Sequence, residues 1–326
     1  MQTTKPDFPP TRKEDTMAVE QASRKPRTSN RPQVAVMNAV HDLPVLVARD
    51  LGFFKDEGLD IDFVTTPGMA QVTTQHFVKF DSVFDRPLDS TYNEGGIDQY
   101  RMCEWGIMKR AVEASVEGLR SRKIVALGAS MSSFAIVVAR DSKAYEPEQL
   151  KNVPIAVTPN NGSHFTTLKL MEGFLDKPYI KTTTAGSMPK RLDALKAGKV
   201  GAVSLMEPWI SVAQKQGLRI LIESHSTRAE AAGDDLDAAT LRKMFRAQAR
   251  AVEILEKDPR PYVHYLVAET GGLLEPHEFQ HWRLLHAPPQ PYTRERFDDT
   301  YNWTVKWNMT VPGATYENTV DNRAWE

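Results

Sequence analysis

The chain has 326 residues, 41% of them hydrophobic and 25% charged, with a formal net charge of −1. That length suits two lobes with ample core, and the near-neutral balance excludes general polyanion or nucleic-acid binding. The single cysteine, Cys103, excludes an intramolecular disulfide framework and a cysteine-based zinc site.

Residues 1–32 are polar, proline-rich and charged, and read as a disordered leader. They lack the apolar stretch of a secretory signal, and no later run is long enough to span a bilayer, so the expected location is the cytoplasm. Residues 33–37 read as the first strand, 38–42 as a turn and 44–54 as a helix. Residues 59–64 alternate as a second, half-buried strand, broken by Pro67-Gly68. Residues 89–96 read as a loop, 97–103 as a short strand and 107–119 as a helix. Two further strands are expected at 123–127 and 134–139, the second apolar throughout and so buried on both faces. A short helix is expected at 146–150.

The stretch 154–175 anchors the chain. Ile155-Ala156-Val157 is an apolar strand, Pro159 to Gly162 break it, and Phe165, Leu168, Met171 and Leu175 recur at helical spacing, with Ser163 as the expected cap. Such a strand–turn–helix step turns free backbone N–H groups and the positive end of a helix dipole toward an anion, although an ordinary capped βα unit has the same pattern. Beyond it come a strand at 179–184, a helix at 188–197 ended by Gly198, a strand at 201–206 running into Glu207-Pro208-Trp209, and a helix to Gly217. One more strand is expected at 219–222, then helices at 241–255, 259–269, 276–285 and 294–308, and a polar tail at 311–326. Strands alternating with helices predict an α/β fold with a mostly parallel sheet.

The order of these motifs resembles the type II periplasmic-binding-protein superfamily, in the branch of sulfonate-, taurine- and nitrate-binding proteins and the thiamine-pyrimidine synthase. Three anchors carry the resemblance: Gly52-Phe53-Phe54 followed by Glu57-Gly58-Leu59, then Gly162-Ser163-His164, then Glu207-Pro208-Trp209. It implies two lobes joined by crossing strands, with the ligand between them. Lobe one would take residues 33–128 plus 224–310, and lobe two residues 129–223. The ligand would meet Asn38 and the 38–42 loop, the 160–164 turn and the 207–209 segment. The Cys103-Glu104 pair is also similar to one in dihydroxyphthalate decarboxylases. A biphenyl sulfinate desulfinase shares the fold, but its cysteine falls near Ala39, so Cys103 does not match it. The run of cysteines carried by the pyrimidine synthase is missing.

Four groups are candidates for chemistry. His41 beside Asp42 suits a general base, or a surface histidine next to a capping aspartate. Arg101, Cys103 and Glu104 combine a bidentate anion ligand with proton-transfer groups; a buried apolar cysteine beside an edge ion pair explains them as well. Asn160, Gly162, Ser163 and His164 form the anion-facing turn. Glu207 and Trp209 offer an acceptor and a stacking face, and His76 is a further cleft candidate. His277 and His281 are read as sharing a helix face at the surface, and no metal or cofactor is expected.

The leading expectation is a cytoplasmic lyase that binds a small, aromatic acid and removes a small group, with decarboxylation preferred. Arg101 and the 160–164 turn would hold the anion, and His41 or Glu104 would move the proton. The alternative is a non-catalytic solute-binding protein for a sulfonate, nitrate or related anion, partnered by a transporter permease.

Overall fold

In the computed structural model, residues 30–66 and 82–326 are described. The strands are β1 (Gln33–Val36), β2 (Asp62–Thr65), β3 (Gln99–Cys103), β4 (Lys123–Val138), β5 (Pro154–Ala156), β6 (Lys181–Thr183), β7 (Ala202–Met206), β8 (Arg219–Ala232) and β9 (Leu285–His286). They lie in the order β2-β1-β3-β8-β4-β7-β5-β6, with β9 beside β4. The helices are α1 (Ala39–Asp50), α2 (Phe53–Asp56), α3 (Pro87–Asn93), α4 (Glu104–Val116), α5 (Gly162–Met171), α6 (Met188–Lys196), α7 (Trp209–Lys215), α8 (Ala238–Lys257), α9 (His264–Ala268), α10 (Arg294–Lys306) and α11 (Tyr316–Thr319).

The sheet is mixed rather than mostly parallel. β1 pairs in parallel with β2 and β3, and β5 with β6 and β7, but β4 and β8 run antiparallel to every strand they meet. These two strands, 16 and 14 residues long, lie side by side from Lys123↔Ala232 to Val138↔Arg219. One end of the pair carries β3, β1 and β2, and the other carries β7, β5 and β6. The register slips between Leu127 and Met131, where the pair passes from one half to the other. Two lobes joined by crossing strands result.

Several expected elements change. The strands at 123–127 and 134–139 are one strand, because Ser130, Ser132 and Ser133 are buried in the crossing rather than looped out. The strand expected at 219–222 continues to Ala232 through buried polar residues. The loop expected at 89–96 begins as helix α3, started by Pro87 at its first position. The helix at 276–285 is replaced by two short 3₁₀ turns, which separate His277 from His281, and by β9. Residues 316–326 are no free tail: Val320 is buried and bridges Ile124, and the Trp325 ring stacks on Phe245.

Candidate functional site

Two adjoining chambers open between the lobes. Chamber A, about 610 Å³, lies between Asn38, which caps α1, His41 of α1, Phe134 of β4, the 158–163 turn, and Ser187, Met188 and Arg191 at the start of α6. Chamber B, about 550 Å³, has Met37, Leu88 and Met102 as apolar walls, with Arg86, Cys103, Arg110 and Asn160–Gly162 around them. His41 and Asn161 line both and mark the junction.

The lobe-two wall is built by two helix starts. After β5 the chain turns with Asn160 at φ +51, a conformation asparagine tolerates. The cap of α5 is Asn161, whose side chain accepts from the Gly162 N–H. Ser163, the expected cap, instead accepts from the Thr158 N–H at 3.0 Å. His164 accepts from the Asn160 N–H at 3.2 Å through Nδ1, and burial pulls its pKa to about 4. It braces the turn and lines neither chamber. Gly162 permits the close packing: a Cβ there would lie 3.0 Å from the Phe134 ring and 3.6 Å from Cys103.

The second helix start, α6, has no side-chain cap, and the buried Ser187 Oγ has no partner. One turn on, Arg191 donates to the carbonyls of Gly186 at 3.2 Å and Ser204 at 2.7 Å, and to Thr158 Oγ1. All these partners are neutral. Burial alone pulls its pKa down to about 9, so it remains cationic at neutral pH. A desolvated cation without a counter-ion is costly by several kcal/mol, and here it sits at the positive end of a helix dipole, where a cation is further disfavoured. An anion in chamber A relieves both.

The lobe-one wall is the reverse. At the start of α1, Asp42 accepts from the N–H groups of Met37 (2.6 Å) and Asn38 (3.1 Å), and Asn38 accepts from that of His41. Glu269 accepts from Ala39 at 2.6 Å. The chain's own side chains thus consume the donors that would hold a ligand anion there. The other oxygen of Asp42 meets Arg101 at 2.5 Å, and Arg101 also donates to Gln99 (2.9 Å) and the Ala35 carbonyl (3.2 Å), with Glu230 at 3.7 Å. Burial works against its charge, but Glu230 and Asp42 raise its pKa. Arg101 is a sealed structural cation behind the wall, not a residue facing either chamber.

Glu104 is tied down in the same way. It accepts from Arg296 at 2.8 and 2.6 Å, from Thr227 at 2.5 Å, Tyr292 at 2.6 Å and Thr300 at 2.7 Å. Burial pushes its pKa up, yet the Arg296 and threonine bonds bring it below the ordinary carboxylate value. It has no proton to give and faces neither chamber. Cys103 does line chamber B, with its thiol pushed up by burial and hence not a thiolate at neutral pH. His41 stands at the junction with Nδ1 unpartnered. Burial, then Arg228 and Arg101, lower its pKa well, leaving a neutral imidazole.

Glu207 precedes a cis proline and is held by Ser211 at 3.0 Å and Arg283 at 3.2 Å beneath the wall. Trp209 packs in the core and faces no chamber. Both brace lobe two rather than line the cleft. His76 lies outside the described residues. Among the described residues, no group of three or more His, Cys, Asp and Glu is placed to hold a metal ion.

Three arginines with no salt-bridge partner among the described residues were not legible as site residues. Besides Arg191, Arg86 reaches from the start of α3 across to the opposite wall, donating to the carbonyls of Asn160 (3.2 Å) and Pro159 (2.9 Å). Burial and then Arg110 lower its pKa to about 10. Arg228 is fully buried on β8, its Nε and Nη2 unpartnered and its guanidinium 5.7 Å from the Phe134 ring. Only Arg191 left a sequence signal: a basic residue in the first turn of a helix, where acids are preferred.

Two α/β lobes on crossing strands, with a cleft lined by helix starts, make this a protein of the type II periplasmic-binding-protein fold. The chain belongs to the NMT1-like family, whose model matches residues 27–230. No curated protein matches it. Among solved structures, it is similar to the periplasmic aliphatic sulphonate binding protein SsuA of Escherichia coli, with TM-score 0.67 and 14% identity over 90% of this chain and 92% of that one. The alkanesulfonate-binding SsuA of Xanthomonas axonopodis pv. citri, bound to MOPS, gives 0.64 and 16% over 86% and 94%. The desulfurization enzyme DSZB gives 0.55 and 14% over 90% and 98%.

Proposed function

We propose that this protein is a solute-binding protein for a small organic anion, a sulfonate or carboxylate, held intact in the cleft and passed to a transporter permease. The observation that carries this reading is Arg191, a buried cation with only neutral partners beside the uncapped start of α6. Sulfonate binding in neighbours of the same fold supports the same chemistry. The acid group would sit in chamber A against Arg191, Ser187 and the 161–163 backbone. The two groups chosen from the sequence for an anion and a proton, Arg101 and Glu104, are committed to internal ion pairs, which weakens the decarboxylase reading.

Calorimetry with alkanesulfonates and carboxylates tests the proposal, on the wild type and on Arg191→Gln. Removing one partner of a desolvated charge pair costs about 2–5 kcal/mol, so the variant should bind at least ~30-fold more weakly. Mass spectrometry should return the ligand unchanged. Equal affinity in the variant, or no binding by any of these anions, would sink the reading.

A lyase remains the second reading on one observation: a neutral imidazole with a free nitrogen stands at the junction, on the wall that also carries Cys103. In that case His41 rather than Glu104 is the proton-transfer group, and the enzyme acts in the cytoplasm. Ligand consumption abolished by His41→Ala would establish it.

A further inference from the structure

The cleft has a second cationic pole that a single acid group in chamber A leaves unbalanced. Arg110 grips Asp89 through three bonds of 2.8–3.0 Å, and Arg122 meets the same carboxylate at 2.9 Å. Two fully buried guanidinium groups therefore share one acid. Arg86, on the wall of chamber B with Arg110, has only carbonyl partners. This pole holds three arginines against one aspartate. Arg228 differs, because it lines neither chamber and Asp42, whose other partner is Arg101, acts on it as a nearby carboxylate. The surplus charge thus concentrates at two places, Arg191 in chamber A and the Arg86–Arg110 side of chamber B. Between them lie His41 and Asn161, and chamber B offers apolar walls at Met37, Leu88 and Met102, with Asp89, already shared by Arg110 and Arg122, also on its lining.

We infer that the natural ligand is a two-ended acid, with one anionic group at Arg191, an apolar spacer past the His41–Asn161 junction, and a second anionic group at Arg86. This rests on the proposed binding function and narrows its substrate class. A monoanion would leave the Arg86 side desolvated and uncompensated, whereas a dianion adds a charge-assisted contact there. Arg86 already bonds the Pro159–Asn160 turn of the opposite wall, so an acid group there would meet both lobes at once.

The test compares matched ligands by calorimetry at one ionic strength: 4-sulfobenzoate against benzenesulfonate, and adipate against hexanoate. The dianion of each pair should bind about tenfold or more tightly in the wild type. Arg86→Gln keeps a donor for the Pro159 and Asn160 carbonyls but removes the charge, and should collapse that ratio to about two. Arg191→Gln should weaken both members of a pair. Equal affinities in the wild type, or a ratio that survives Arg86→Gln, overturns the two-ended ligand while leaving anion binding standing. Binding of no anion of either kind overturns both readings. If Arg86→Gln is unfolded by circular dichroism, Arg86→Lys decides in its place: it keeps the charge and should keep the ratio, and a lost ratio in that folded variant overturns the inference.

Discussion

Arg101 and Arg191 are equally hidden from water, each 2% exposed, the first behind the lobe-one wall of the cleft and the second on its lobe-two wall. Their neighbours separate them. Arg101 is met by Asp42 and Glu230, whereas Arg191 is met by two carbonyls and a hydroxyl. The same contrast holds for the helix starts: α1 is filled by Asp42, Asn38 and Glu269, and α6 carries no cap. A buried charge already neutralised within the chain supports the fold. One left with neutral partners is available to a ligand.

The contrast breaks most sharply at Arg101. Arg101→Ala strands Asp42 and Glu230 without their cation, and should cost about 3–5 kcal/mol of stability in denaturant unfolding. A variant that folds normally and loses only ligand binding would place Arg101 in the site after all. Arg191→Gln should do the opposite, leaving the ligand-free stability within about 1 kcal/mol of wild type while binding collapses. Parallel urea curves of the two variants sharpen the comparison directly.

Glu269 tests the filled helix start. Burial lifts its pKa to about 7, above the ordinary carboxylate value of 4.5. The unfolded chain therefore ionises first as pH rises. This contribution is fully present below about pH 4.5, fades through about pH 7 and is absent above. Glu269→Gln keeps an acceptor for Ala39 and removes the titration. Its melting temperature relative to wild type should rise between about pH 5 and about pH 8, and a flat difference would show that this carboxyl is not shielded. A smaller effect is expected at Gly162. Alanine there presses on Phe134, so ligand affinity should fall a few-fold, about 1 kcal/mol, with little change in unfolding. Smallest of all, Cys103 should alkylate slowly at neutral pH because burial holds it as the thiol, and bound ligand should slow it further; rapid labelling would contradict the closed wall of chamber B.

The βα rhythm, the central strand–turn–helix and the family anchors were legible because their apolar residues keep regular spacing. The crossing strands were not. Ser130, Ser132 and Ser133 on β4, and Ser226, Arg228 and Glu230 on β8, are polar and yet buried, so no alternation marks them as strand. The turn at 160–164 was legible as a place, while its cap shifted by two residues. Arg101 was the right kind of residue for an anion, but its partner Asp42 lies 59 residues earlier, and that pairing is invisible until the chain folds. Arg86 was missed for the mirror reason, since its significance is a missing acid and a missing partner leaves no pattern in a sequence; Arg191 left only the faint one of a basic residue in the first turn of a helix.

The route of the chain through the crossing strands also sets an order of assembly. β5, α5, β6, α6 and β7 all fall between Pro154 and Met206, a compact stretch of chain. The other lobe is shared between the two ends. β3 pairs with the last residues of β8, Glu104 waits for Tyr292, Arg296 and Thr300, and Trp325 donates to the Val125 carbonyl. As the chain leaves the ribosome, the second-made lobe has its partners first. β4 is made long before Val320 and Trp325, which are the last to reach it, so a chain cut short before residue 320 would leave Ile124 and Val125 without these partners.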